Sequence, residues 1–140
     1  MPKIKILAAE DNAVNQLVLK TLLQQAGVEP LVVENGALAV EAWEREHWDV
    51  VLMDIQMPVM DGVSATREIR SRELATGRAR TPIIAVTANA MTHQTPEYAA
   101  AGMDAVVPKP LEAALLFSAL ERALDGVSAG AEGQARSSVA

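Results

Sequence analysis

The sequence predicts an α/β protein, a doubly wound five-stranded parallel sheet with helices on both faces. Short apolar runs rich in β-branched residues alternate five times with longer stretches of helical periodicity. Each apolar run stops abruptly at a polar residue, and Gly, Pro, Asn or Asp punctuates the links. Such alternation implies parallel strands joined by right-handed crossovers. It does not fix their order.

Ile4, Ile6, Leu7, Ala8 and Ala9 give the first strand, which ends at Glu10-Asp11-Asn12. Asn12 or Asp11 can cap a helix with Val14, Leu17, Val18, Thr21 and Leu22 as its apolar positions and Gly27 just past its end. Leu31, Val32 and Val33 form a short second strand near an edge. Asn35-Gly36 then leads into a helix whose apolar face is Leu38, Val40 and Trp43. Val50 to Met53 reads as a strand buried on both faces, capped by Asp54 and followed by a breaker-rich loop with Pro58 and Asp61-Gly62.

A helix is expected over 63–74 and a polar loop over 75–81. Pro82 opens the fourth strand, Ile83 to Val86, which ends at Thr87. Pro96 suits the first turn of a short helix closed by Gly102. Ala105, Val106 and Val107 make the fifth strand, before Pro108-Lys109-Pro110. A last helix, Leu111 to Leu124, turns Leu115, Leu116, Ala119, Leu120 and Ala123 inward. From Gly126 the composition suggests a disordered tail or linker, dividing the chain into a domain at 1–125 and a tail at 126–140.

A length of 140 residues suits one domain with a real core. Half the residues are hydrophobic but only 3% aromatic, so that core is aliphatic. A formal charge of −6 argues against nucleic acid as a direct partner. The absence of cysteine excludes disulfides, thiolate metal sites and cysteine nucleophiles. No apolar run reaches the roughly 20 residues of a membrane span, and Met1-Pro-Lys-Ile-Lys is too short and polar for a signal peptide. No membrane contact and a cytoplasmic location are expected.

The chemistry lies at the strand ends. Parallel strands place their carboxyl ends on one edge, where ligands of open α/β sheets bind. Glu10, Asp11, Asp54, Thr87 and Lys109 should therefore converge. Carboxylates that close raise one another's pKa unless a cation intervenes, and hard oxygen donors favour Mg²⁺, Mn²⁺ or Ca²⁺ over zinc or copper. The lysine and the threonine hydroxyl suit the anionic oxygens of a phosphoryl group in transfer. Asp54, on a mid-sheet strand, is the candidate nucleophile for an aspartyl phosphate. No Gly-rich phosphate loop is present, so the phosphoryl group must arrive on a partner or a small donor.

The bland alternatives are specific. Glu10 and Asp11 could merely cap a helix, and Thr87 could be only a strand-end hydroxyl. His47 and His93 stand alone and read as solvated; the methionines read as core, and Trp43 and Trp48 as packing residues. Arg67, Arg70, Arg72, Arg78 and Arg80 read by default as a solvated face and loop.

Taken together, the acidic pair, Asp54-x-x-Met57-Pro58-x-Met60-Asp61-Gly62, Thr87-Ala88 and Lys109-Pro110 resemble the response-regulator receiver domains of two-component systems. The likeness covers about Lys3 to Leu124. The wording around Ala9-Glu-Asp-Asn-Ala-Val-Asn-Gln16 and Thr87-Ala-Asn-Ala90 is similar to receivers of hybrid sensor histidine kinases. This resemblance implies strand order 2-1-3-4-5 and phosphorylation of Asp54 by a histidine kinase or histidine phosphotransfer protein. It further implies Mg²⁺ (Mn²⁺ as substitute) on Asp11, Asp54 and the Gln56 backbone carbonyl, with Glu10 acting mainly through water. Thr87 and Lys109 would hold phosphoryl oxygens, Lys109–Pro110 would be cis, and output would pass to a downstream protein. Val106 stands where family members usually carry Tyr or Phe.

The expected function is thus phosphorelay signalling, with self-directed phosphotransfer and dephosphorylation only. An aspartyl-phosphate hydrolase is a second reading, against which Gln56 replaces the usual second aspartate. A non-phosphorylated interaction module is the third.

Overall fold

The computed structural model describes residues 4–88 and 95–137. In chain order the elements are β1 (Ile6–Ala9), α1 (Ala13–Gln25), β2 (Leu31–Val33), α2 (Gly36–Arg45), β3 (Val50–Asp54), α3 (Gly62–Thr76), β4 (Ile83–Thr87), α4 (Thr95–Ala101), β5 (Ala105–Pro108) and α5 (Ala113–Ser137). All strand pairs are parallel, in the order β2-β1-β3-β4-β5. The expected doubly wound architecture is the one observed.

The two-residue strand period divides the core. Leu7, Ala9, Val51, Met53, Ile83 and Ala85 face a layer built from α2, α3 and α4. Ile6, Ala8, Val50, Leu52, Ile84, Val86 and Val107 face Leu19 and Leu23 of α1 and Leu116, Ala119 and Leu120 of α5. β1, β3 and β4 are covered on both faces, which explains why they read as unbroken apolar runs.

Local signals account for the helix ends. Asn12, Asn35 and Asp61 each cap a helix by accepting a hydrogen bond from the backbone N–H three residues on. Gly27, at φ +79°, closes α1 where the sequence placed it, with the Val28 N–H returning to the Leu23 carbonyl at 2.9 Å.

Several inward faces differ from expectation. In α1, Val14 and Leu17 are largely exposed and Thr21 is exposed, while Leu19 and Leu23 carry the contact. Apolar residues surround much of this helix, so periodicity alone did not single out the stripe that meets the sheet. In α2 Leu38 turns outward and Ala39, Val40, Ala42 and Trp43 turn in; in α5 Leu115 turns outward. Ile4 precedes β1 and is exposed. α5 runs to Ser137, past the Leu124 end expected for the last helix.

The arginines are not a uniformly solvated face. The Arg70 side chain, only 12% exposed, pairs with Glu73 and Asp104, each at 2.9 Å. It also donates to the Thr81 and Gly102 carbonyls at 2.8 and 2.7 Å. This ties α3 to the entrance of β4 and to the α4–β5 junction. Arg78 stacks on Trp43, 3.8 Å from the ring centroid. Asp61-Gly62, read as turn chemistry, is a cap followed by a close approach: a Cβ at Gly62 would lie 2.1 Å from the Asp54 carbonyl oxygen.

Two outcomes follow for urea unfolding. Gly62→Ala forces α3 away from the Asp54 backbone and should cost about 1–3 kcal/mol. Arg70→Met leaves the buried Glu73 without its cationic partner, while Asp104 keeps Arg80, and should cost about 3 kcal/mol, as removal of one partner of a buried pair does.

Candidate functional site

β1, β3, β4 and β5 end side by side, and each delivers a polar group. Val86 is level with Asp54, and Pro108 is level with Thr87. The Lys109 N–H donates to the Thr87 carbonyl at 3.0 Å, continuing the ladder one residue past β5. The Lys109–Pro110 peptide is cis, as the resemblance implied.

Lys109 is the centre of charge. Its Nζ lies 2.9 Å from Glu10 Oε1 and 3.1 Å from Asp54 Oδ1. Glu10 and Asp54 are buried, at 1% and 3% exposure, so neither carboxyl relies on water. Glu10 Oε2 accepts from the Asn12 N–H at 3.1 Å, and the Gln16 side chain donates to the Glu10 carbonyl at 2.6 Å. Oε1 meets Lys109 as a charge contact without directed hydrogen-bond geometry.

Three carboxylates converge here. Glu10, Asp11 and Asp54 each offer an oxygen, all within 4.8 Å of one another. Asp11 is exposed, so the group opens to solvent on one side. Burial, then the hydrogen bond and charge of Glu10, push the Asp54 carboxyl up to about 7 against the opposing pull of Lys109. Burial acts to raise Glu10 as well, but Lys109, the Asn12 N–H and Asp54 outweigh it and leave Glu10 below its ordinary value. Burial acts to lower Lys109, and the two carboxylates more than reverse that. One ammonium thus does not neutralise the cluster. Oxygen-only donors, excess negative charge and an open side fit a hard divalent cation.

The structure therefore brings Glu10, Asp11, Asp54 and Lys109 together. It places Thr87, buried at the end of β4, on the same edge. Gln56 is exposed at the start of the β3–α3 loop. His47 is exposed and 3.9 Å from Asp49, away from the cluster; His93, Asn89 and Ala90 lie outside the described residues. Val106 is half-buried against the core cluster that holds Tyr98 and Met103. Sequence reasoning missed Gln16, whose only signal was its place one turn into the helix after the acidic pair.

A parallel α/β sheet with a carboxylate cluster and a lysine at its carboxyl edge defines the class: a phosphoacceptor-type domain rather than a nucleotide-binding one. Comparison with known proteins gives the family. Residues 6–121 match the response regulator receiver domain. The sensor protein GacS of Pseudomonas syringae pv. syringae is 42% identical over 107 residues, covering 76% of this chain and 12% of that protein. Hybrid signal transduction histidine kinase I of Dictyostelium discoideum is 38% identical over 121 residues, covering 83% of this chain and 7% of that protein.

Among solved structures, the receiver domain of sensor histidine kinase PA1611 from Pseudomonas aeruginosa, with magnesium in its active-site cleft, is 43% identical. It matches with a TM-score of 0.79 and coverage of 89% and 99% of the two chains. The receiver domain of Ssk1 in complex with the phosphotransfer protein Ypd1 of Saccharomyces cerevisiae is 29% identical, with a TM-score of 0.75 over 88% and 87%. This chain belongs to the response regulator receiver domain family, the signalling modules of phosphorelays. It spans only 12% of the GacS length. Among the described residues no helix is long and apolar enough to cross a membrane.

The Asp54 shift has a consequence for metal-free protein. Between the unfolded value of 3.8 and the folded value of about 7, the folded chain holds a proton that the unfolded chain has released. Stability from this group is therefore lost as pH rises toward 7. In chelator, the melting temperature of wild type relative to Asp54→Asn should fall between about pH 4 and about pH 7. Parallel profiles would show that Asp54 titrates normally.

Proposed function

We propose that the chain accepts a phosphoryl group on Asp54 from a phosphohistidine and signals through the resulting change in protein contacts. The observation that carries this reading is the buried Asp54 carboxylate, 3.1 Å from Lys109 Nζ and inside a three-carboxylate cluster open to solvent. An Asp54 oxygen attacks phosphorus, the bond from phosphorus to the histidine nitrogen breaks, and the imidazole leaves with a proton. Lys109 follows the charge that develops on the phosphoryl oxygens, and the Thr87 hydroxyl holds another of them. Hydrolysis of the acyl phosphate returns the domain to its resting form, with no turnover of an external metabolite.

Asp11, Asp54 and the Gln56 backbone carbonyl would hold Mg²⁺, for which Mn²⁺ can substitute. The bound ion supplies positive charge against the carboxylates and the phosphoryl oxygens. Glu10 is kept as an anion by Lys109 and the Asn12 N–H, which suits a role through water rather than direct ligation. The magnesium-bound PA1611 receiver supports the choice of metal.

The donor is read as a histidine kinase or a histidine phosphotransfer protein, as the Ssk1–Ypd1 complex and the kinase relatives suggest. Val14 and Leu17, exposed on α1 just past the acidic pair, offer such a protein an apolar surface beside the site. A downstream protein partner and a cytoplasmic setting, where ATP charges phosphohistidines, belong to the same reading. The receiver unit is taken as 1–125, with the rest of α5 as a connecting segment.

Acetyl phosphate with Mg²⁺ should label wild type and not Asp54→Asn, read by intact-protein mass and loss of label in hydroxylamine. Lys109→Met should slow labelling by ~100-fold, the cost of removing one charge-stabilising donor. Label that survives Asp54→Asn would remove Asp54 from this role.

A further inference from the structure

The turn from β1 into α1 carries two of the three clustered carboxylates on adjacent residues, Glu10 and Asp11. β1 ends at Ala9, so the peptide that joins this pair lies beyond the regular strand. Its carbonyl belongs to Glu10, which is buried. A buried carbonyl off the ladder needs a donor from elsewhere.

Gln16 is that donor. Its side-chain amide reaches the Glu10 carbonyl at 2.6 Å, and the residue is half-buried rather than solvated. Its own N–H donates to the Asn12 carbonyl at 2.9 Å, so one residue of α1 holds the turn at two points. The other bonds of the turn act elsewhere. The Glu10 N–H meets the Val33 carbonyl at 2.9 Å and fixes the peptide before Glu10. The Asn12 N–H meets Glu10 Oε2 at 3.1 Å, and the Asn12 side chain accepts from the Asn15 N–H at 3.0 Å. Gln16 thus holds the peptide that links the two carboxylates.

Those carboxylates depend on that peptide unequally. Glu10 has Lys109 and the Asn12 N–H on its side-chain oxygens. Asp11 is exposed, so its place is set by the backbone that carries it. A rotation of the Glu10–Asp11 peptide would swing the Asp11 carboxylate relative to Asp54. The donor type also matters. Lys or Arg could make the same contact, yet each would bring a cation beside a cluster whose excess negative charge suits a divalent ion. An amide supplies the bond without the charge.

We propose that Gln16 is a positioning residue for the metal: it locks the Glu10–Asp11 peptide and so holds the Asp11 oxygen in place beside that of Asp54. This rests on the reading of Asp11 and Asp54 as ligands. Gln16 touches neither ion nor phosphoryl group and acts through the turn. Its loss therefore weakens binding of the ion and leaves phosphoryl transfer intact once the ion is bound.

The test compares wild type, Gln16→Met, Gln16→Glu and Thr81→Val. Met keeps the length of the side chain without a donor, and Glu keeps the shape but adds a negative charge. Thr81→Val removes a buried hydrogen bond to Trp43 at the opposite end of the sheet and serves as a stability control. Free Mn²⁺ is counted by electron paramagnetic resonance, with Mg²⁺ as competitor, well below each melting temperature. Gln16→Met should raise the dissociation constants for both ions about fivefold, or about 1 kcal/mol. Gln16→Glu should also bind more weakly than wild type, and Thr81→Val should bind as wild type does. In labelling of Gln16→Met by acetyl phosphate, the Mg²⁺ concentration for half-maximal rate should rise about fivefold, with the rate at saturating Mg²⁺ unchanged.

Unchanged affinity in Gln16→Met would overturn the proposal. Tighter binding in Gln16→Glu would overturn it too, because charge and not position would then govern the site. So would an equal loss in Thr81→Val, which would trace the effect to general loosening. A wild-type chain that binds neither ion would overturn both the proposal and the metal reading beneath it. A wild-type chain that binds Mn²⁺ but takes no label from acetyl phosphate would strike the assignment of Asp54 alone, and the metal titration would still decide on Gln16.

Discussion

Lys109 between Glu10 and Asp54 is the interaction on which the rest of this molecule depends. Two carboxyls are buried at the edge of a parallel sheet, and a single ammonium faces both at about hydrogen-bond distance. Ion pairs of this kind contribute little to stability once desolvation is counted. Their value here is positional. The lysine keeps Glu10 ionised, leaves Asp54 short of full neutralisation, and so maintains the excess charge that a divalent cation would relieve.

That arrangement requires the strands to end in register. Asp54 lies level with Val86 and Thr87 with Pro108, so a slip of one residue would turn every strand-end side chain to the opposite face. Register is held by the two-sided burial of β3 and β4, whose residues pack alternately against α2–α4 and against α1 and α5. The loop after β3 is fixed by glycines that let backbone approach backbone: Gly62 against the Asp54 carbonyl and Gly36 against Met60. The opposite edge of the domain is tied by Arg70, which ligates groups from α3, the start of β4 and the α4–β5 junction. The aliphatic core supplies stability, and these polar contacts supply geometry.

Val106 of β5 is a valine where the resemblance implied Tyr or Phe. It sits half-buried against the core cluster that includes Tyr98 and Met103.

Much was legible in the sequence because its signals were local and redundant. Strand ends, the cap at Asn12 (one of two candidates), the closing Gly27 and the acidic cluster all follow from residue type and spacing. Strand order came from resemblance, since alternation alone allows several. Other features depend on neighbours distant in sequence. Val14, Leu17 and Leu38 belong to patterns that looked apolar and inward, yet only the packed sheet selects which stripe of a helix is covered. Arg70 looked like a surface residue until α3, the start of β4 and the α4–β5 junction met around it. The sequence by itself determined a doubly wound sheet and the residues at its carboxyl edge, because periodicity and breakers are written locally. Only the tertiary structure decided that one ammonium serves two buried carboxyls and that the Gln16 amide reaches the Glu10 carbonyl, because both depend on distances between segments that no spacing encodes.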